Sequence, residues 1–202
     1  MNILSWLAVN FDLPILDWIA GNLYCDFLDF LMPIITMFGD AGIFWIAWAA
    51  VLLIFPKTRK IGLSMGIALI LGLLVCNLTL KPLVARIRPY AFQLEHFQKY
   101  IVLLVETPSD FSFPSGHTIA SFEAATVLLI KNKKMGIPAM VLAVLIAFSR
   151  MYLYVHYPTD VLASVVLGVA FAFLGIFLAD KLWALLQRKF GNNKRRPVRR
   201  TK

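Results

Sequence analysis

Residues 61–80 read IGLSMGIALILGLLVCNLTL, twenty positions without a charged side chain, and Lys81 follows directly. A helix needs roughly 20 predominantly apolar residues to cross the hydrocarbon of a bilayer, so this stretch predicts a membrane span. Comparable runs lie at about 41–56, 116–131, 136–154 and 160–180. Gly, Ala, Leu and Ile dominate them, and the small residues allow close helix packing. Hydrophobic residues make up 60% of the 202 and charged residues 15%, whereas a soluble domain carries about 25% charged residues. The expected fold class is all-α: a polytopic transmembrane helical bundle with five spans.

The first 40 residues differ. Asp12, Asp17, Asp26 and Asp29 interrupt the apolar pattern every turn or two, which predicts amphipathic helices lying in the interface, with a sixth crossing as the alternative. The domain reading is a single transmembrane domain over 1–187, with an N-terminal amphipathic segment 1–40, and a basic tail over 188–202. Cys25 and Cys76 are far apart and suggest neither a disulfide framework nor a thiolate metal site. Met1–Asn10 has no basic flank or small-residue cleavage site, and so reads as a poor signal peptide.

Threading five spans sorts the basic residues. One side receives Lys57, Arg59, Lys60, Lys131, Lys133, Lys134, Lys181 and the tail, which is 15 of the 20 Lys and Arg. The other receives Lys81, Arg86, Arg88, Lys99 and Arg150. The positive-inside rule assigns the first side, with the tail, to the cytoplasm and the second to the extracytoplasmic face of a cell membrane. The net charge of +9 sits largely in the tail, where contact with anionic headgroups explains it better than nucleic acid does.

Three short clusters fall on the second side: Lys81 with Arg88-Pro89, then Pro114-Ser115-Gly116-His117, then Ser149-Arg150 with His156 and Asp160. Alone, Lys81 and Arg88 would suit snorkelling to headgroups. Pro82 and Pro89 leave the continuity of their helix open. Ser115 reads as an N-cap, Gly116 allows close approach of a ligand to backbone, and the free N–H groups of a helix start suit phosphate. Arg150 can hold phosphate oxygens in a fork. Asp160, starting a helix after Pro158, is expected to reach a ring nitrogen of His156 and fix its tautomer. Together, fixed positive charge around two histidines is chemistry for a phosphate ester, with one histidine attacking phosphorus and the other protonating the leaving group. No carboxylate cluster suited to Mg²⁺ or Zn²⁺ accompanies them, so a reaction without metal or cofactor is expected.

These residues carry a resemblance. Lys, six residues, Arg-Pro; Pro-Ser-Gly-His; and Ser-Arg, five residues, His, three residues, Asp is the signature of the type 2 phosphatidic acid phosphatase superfamily. Lys81 to Arg88-Pro89, Pro114 to His117, and Ser149-Arg150 to His156 to Asp160 match it at every fixed position. That family includes lipid phosphate phosphatases, undecaprenyl-diphosphate phosphatases, glucose-6-phosphatases and vanadium haloperoxidases. The resemblance implies His156 as nucleophile of a phosphohistidine intermediate, oriented by Asp160, and His117 as the acid. It implies Lys81, Arg88, Ser115, Gly116 and Arg150 as the phosphate cradle.

A short chain with its clusters at one membrane face suits an amphiphilic substrate. The leading expectation is undecaprenyl diphosphate hydrolysed to its monophosphate, and the runner-up is phosphatidic acid or phosphatidylglycerophosphate. A silent lipid-binding or transport protein is the alternative of another class; a vanadate-dependent oxidase is a weaker one. The partners expected are the lipid substrate and membrane lipids, with the oligomeric state left open. The loop 90–113 reads as an ordered cap or an interface-lying segment. Glu123 reads as a structural carboxyl facing the bundle, with a functional role as the alternative, and His96 as a surface histidine.

Overall fold

A computed structural model describes residues 3–191, with side chains to Lys189. Of the basic tail, residues 192–202 lie outside the described residues. All regular structure among the described residues is helical. Helix α1 (Ile3–Leu7) runs through a π-helical turn (Ala8–Asp12) into α2 (Leu13–Leu23), followed by α3 (Asp26–Met37) and α4 (Ile43–Ile54). Helix α5 (Arg59–Gly72) widens into a π-helical stretch (Leu73–Leu80) and ends in the single turn α6 (Lys81–Val84). Then come α7 (Pro89–Phe97), α8 (Gly116–Lys131), α9 (Lys133–Tyr152) and α10 (Pro158–Gly191).

The boundaries follow local chemistry. Asn132 alone separates α8 from α9, because its side chain accepts from the N–H groups of Lys134 and Met135 at 3.1 and 3.4 Å, filling the N-cap role. Pro158 opens α10, where its missing N–H leaves no bond unmade. Between α3 and α4 the chain turns on Ala41 and Gly42, both at positive φ.

Helix α8 lies at the centre, against α5, α9 and α10. Every residue from Ile119 to Leu128 except Ala120 is buried. Its polar residues Ser121, Glu123 and Thr126 are therefore enclosed; Trp45 of α4 donates to Ser121 Oγ at 3.0 Å. Outward faces carry exposed Ile54, Leu78, Val144, Val166, Phe173 and Phe177, an apolar girdle suited to lipid. The chain is a multi-pass membrane protein.

Among the described residues, five helical segments are long and apolar enough to cross a membrane: Ile3–Leu23, Asp26–Ile54, Arg59–Phe97, Lys133–Tyr152 and Pro158–Lys189. By that measure the N-terminal helix qualifies, and the 16-residue α8 is too short. Packing modifies the count. Asp12 meets Arg86 and Thr159, Asp17 meets Lys99 and Tyr154, and the Tyr24 hydroxyl donates to the Tyr152 carbonyl. Farther on, Asp29 accepts from the Tyr152 hydroxyl and Thr36 from Arg150. All these partners lie at one end of α9 and α10 or in the loop beside them. The segment to Met37 thus packs against that end of the bundle, and α8 fills the interior.

Away from this end the helices meet closely on small residues. A Cβ on Gly62 would lie 2.6 Å from the Ala49 carbonyl oxygen, and one on Gly175 would lie 2.8 Å from that of Ser64.

Candidate active site

The three clusters converge at the end covered by the N-terminal segment. After α9 the chain folds back: the N–H groups of Val155 and His156 both donate to the Arg150 carbonyl at 3.2 Å, with Tyr154 at positive φ. This tight return sets His156 against the site's cations. Arg88 Nη1 donates to the Val155 carbonyl at 2.7 Å and lies 3.2 Å from His156 Nε2.

The Lys81–Arg88 segment is not one helix. It breaks after Val84, with Ala85 at φ 47°, and Arg88 is extended. The two cations meet through Asp110 instead, whose carboxylate bonds both Lys81 Nζ and Arg88 Nη2. Arg88 Nε also donates to the Asp110 carbonyl at 2.8 Å. Arg150 is 4% exposed. Its Nη1 is held by Thr36 Oγ1 at 2.5 Å, and its Nε has no partner.

Ser115 occupies the N-cap position of α8 but makes no side-chain capping bond. Its N–H donates to Ser164 Oγ at 2.8 Å, and its Oγ accepts from Thr118 at 3.0 Å. The helix start is anchored to α10 while its first turn remains uncapped by this side chain. His117, in that turn, places Nε2 2.7 Å from Asp40 Oδ1. A carboxylate only accepts, so Nε2 carries the proton and Nδ1 holds the lone pair of the neutral ring.

The expected Asp160–His156 contact is looser than a hydrogen bond: Oδ2 is 3.7 Å from Nδ1. Ser112 comes between them, donating to Asp160 Oδ2 at 2.5 Å and lying 3.5 Å from His156 Nδ1. Asp160 is held further by Arg86 Nη1 at 2.5 Å and by the Tyr157 N–H at 3.2 Å. Arg86 also pairs with Asp12 and lies over the Tyr157 ring, 3.8 Å from its centroid.

Burial pushes the His156 pKa well below its ordinary value, and the charges of Arg88, Arg150 and Lys81 push it the same way. The ring is therefore neutral at ordinary pH and has a free electron pair. Burial acts upward on the Asp110 carboxyl, but hydrogen bonds and charge from Lys81 and Arg88 prevail and bring it down to about 2. The burial of Tyr157 raises its phenol.

A cavity of about 1100 Å³ opens from this centre. Lys81, Arg88, His117, Arg150 and His156 line its polar end. It continues between Ile46, Ala49 and Leu53 of α4 and Gly66, Leu69 and Ile70 of α5. A charged head and an apolar chain both find matching walls.

Sequence reasoning missed Asp40, Asp110, Arg86, Ser112 and Thr36. None has a fixed place in the three-part pattern, and each reaches the site from a segment distant in sequence. His96 is exposed, stacked on Phe92, as expected. The loop 90–113 begins as α7, with Phe92 and Gln93 buried and Gln93 bonded to the Tyr154 hydroxyl at 2.8 Å, so it is an ordered cap.

Known proteins share both pattern and fold. The PAP2 superfamily pattern matches residues 57–184. An undecaprenyl-diphosphatase of Sulfolobus acidocaldarius is 37% identical over 150 residues, 74% of this chain and 69% of that one. Undecaprenyl-diphosphatase BcrC of Bacillus subtilis is 32% identical over 155 residues, 77% of each. The crystal structure of a transmembrane PAP2-type phosphatidylglycerolphosphate phosphatase from Bacillus subtilis superposes with a TM-score of 0.65 at 30% identity, covering 83% of this chain and 84% of that one. With its pattern, fold and site geometry in agreement, the chain belongs to the PAP2 superfamily.

Proposed function

We propose that this membrane lipid phosphatase hydrolyses undecaprenyl diphosphate to undecaprenyl phosphate at the extracytoplasmic face, through a phosphohistidine and without a metal ion. One observation carries the reading: two histidines and three cations gather at one end of a cavity that continues between apolar residues of α4 and α5. The relatives in Sulfolobus and Bacillus named as undecaprenyl-diphosphatases support the substrate. The distribution of Lys and Arg supports the sidedness.

In this mechanism the terminal phosphate sits among Lys81, Arg88, Arg150 and the Gly116 N–H at the start of α8, a start that Ser115 fixes through the bond of its own N–H to Ser164. Their charge stabilises the equatorial oxygens, the task a metal performs elsewhere. His156 Nε2 attacks phosphorus, and the P–O bond to the lipid phosphate breaks. His117, entering this step as the imidazolium that Asp40 stabilises, gives its Nδ1 proton to the departing oxygen. Water then attacks the phosphohistidine, His117 takes its proton, and orthophosphate leaves with His156 restored. Asp160, through Ser112, holds His156 in place.

Phosphatidylglycerophosphate is the second reading, favoured by the fold match to the Bacillus phosphatase of that lipid. Phosphate release by purified protein in detergent with EDTA, across both lipids, phosphatidic acid and glucose 6-phosphate, decides between them. The expected result is fastest turnover of the diphosphate, lost in His156→Ala while lipid binding persists. Turnover in that variant would remove His156 as nucleophile, and activity only after metal is restored would remove the metal-free reading.

A further inference from the structure

Helix α5 carries Gly62 and Gly66 on one face, one turn apart, in opposite surroundings. A Cβ on Gly62 would lie 2.6 Å from the Ala49 carbonyl oxygen and 2.8 Å from the Leu53 backbone nitrogen, so α4 and α5 are in backbone contact there. A Cβ on Gly66 would meet nothing within 4 Å. Glycine inside a helix is less stable than alanine, because it loses more backbone freedom on folding. Close packing accounts for Gly62. It does not account for Gly66, which lines the cavity.

The cavity around Gly66 is apolar. Ile46, Ala50 and Leu53 of α4 line it together with Ile70 and Leu73 of α5. Ile46 is 55% exposed and Ile70 57%, so much of these walls is uncovered by other side chains. The two helices touch at Gly62 and stand apart at Gly66. Depth follows from Asn77, which meets the start of α8: a Cβ on Gly116 would lie 3.1 Å from its Oδ1. Gly66 precedes Asn77 by eleven positions on a continuous helical run, which places it roughly 15 Å below the phosphate cradle at the helical rise. A phosphate held at Gly116 keeps its headgroup well short of Gly66, and only the chain of a lipid reaches that level.

We propose that Gly66 is a specificity-determining residue: its missing side chain leaves open the slot between α4 and α5 that takes the prenyl chain of the substrate. The walls call for an apolar occupant. The substrate's own chain is that occupant, because the slot and the phosphate cradle are parts of one cavity. A bulky side chain at this position would fill the slot without touching the cradle. The inference rests on the phosphatase reading above.

The test has two parts. In the first, Gly66→Leu and Ala50→Leu are expected to lower kcat/KM for undecaprenyl diphosphate tenfold or more. The melting temperature and the inhibition constant of orthophosphate, a chainless probe of the cradle, should stay at the wild-type values. Gly66→Ala, whose Cβ fits, should change kcat/KM less than threefold. Gly21→Leu, equally free of neighbours but not lining the cavity, should change nothing. Unchanged turnover in Gly66→Leu, or an equal loss in Gly21→Leu, overturns the slot, as does a matching loss of orthophosphate inhibition. In the second part, Gly66→Cys is combined with Cys25→Ser, which leaves only the buried Cys76 as a further thiol. Modification by methyl methanethiosulfonate in phosphatidylcholine nanodiscs should slow at least fivefold with undecaprenyl phosphate and not at all with orthophosphate. An equal rate with and without the lipid, in a protein that hydrolyses undecaprenyl diphosphate, overturns the slot and leaves the phosphatase reading standing. Wild-type protein that releases phosphate from no lipid overturns both.

Discussion

Asp40 Oδ1 lies 2.7 Å from His117 Nε2, joining the elbow between α3 and α4 to the first turn of α8. The carboxylate fixes the tautomer and would stabilise the imidazolium formed when His117 takes a proton from water. Asp40→Asn keeps an acceptor and loses the charge. We expect kcat to fall about tenfold to a hundredfold, below the about 10²–10⁴ attributed to a general acid–base itself. KM should change less than twofold, and the acidic limb of the pH–kcat profile should move. A change in KM alone would show that Asp40 serves binding only.

Gly39 supports the same pair by having no side chain. A Cβ there would lie 2.6 Å from His117 Cδ2 and 3.0 Å from Ile146 Cγ2. Its φ of −96° suits any residue, so the backbone tolerates Ala and the ring must shift. Misplacing a reacting group by about 1 Å can cost about 10²-fold in rate. Gly39→Ala should therefore fold normally, judged by melting in detergent, and lose at least tenfold in kcat.

Asp110 bridges Lys81 and Arg88, the two cations that a phosphate would use. With its pKa down at about 2, it stays charged at every working pH. It also competes with the substrate anion. Its side chain is half exposed, and contacts of such charges are worth about 0.2–1 kcal/mol each. Asp110→Asn should strengthen inhibition by orthophosphate by up to about fivefold. A weaker inhibition constant would mean that Asp110 chiefly positions the cations.

Arg86 is buried between the carboxylates of Asp12 and Asp160. Removing one partner of a buried ion pair costs about 3–5 kcal/mol, because the remaining charge is left uncompensated. Arg86→Met strands two carboxylates and should lower thermal stability sharply. Asp12→Asn, which keeps one acceptor oxygen and leaves Arg86 paired with Asp160, should cost much less. Equal effects would count against this account.

The depressed pKa of His156 has a sign that can be measured. Below the ordinary value of 6.5 the unfolded chain takes up a proton that the folded ring refuses. The associated stability is full above pH 6.5 and is lost as pH falls from there toward the folded pKa. Stability in detergent should decline below pH 6.5, and His156→Gln should flatten that decline.

The sequence made the convergence of Lys81, Arg88, His117, Arg150 and His156 legible because their spacing is fixed by two helix starts and one tight return. Four of the five apolar runs were legible because lipid demands them; the fifth, α8, is apolar because it is buried at the centre, and the N-terminal helix, with its aspartates, also proves long and apolar enough to cross. The partners were not. Asp12, Asp40 and Asp110 are single aspartates in segments whose periodicity says only amphipathic helix or loop, and only tertiary packing brings each to its cation or histidine. The π-helical stretch from Leu73 leaves no mark on an apolar run, since hydrophobic residues have no periodicity to lose when every face is apolar. Ser112 stands inside the cap loop, with nothing in its neighbours to announce a bond to Asp160.

Where Gly62 presses on Ala49 and Gly175 on Ser64, α4, α5 and α10 come into backbone contact, and the two histidines and three cations all stand at one rim of the cavity. Lipid headgroups arriving and orthophosphate departing would share that rim. Turnover therefore keeps pace with the supply of headgroups in the leaflet that faces the rim. Those in the other leaflet remain out of reach until a separate process turns them over.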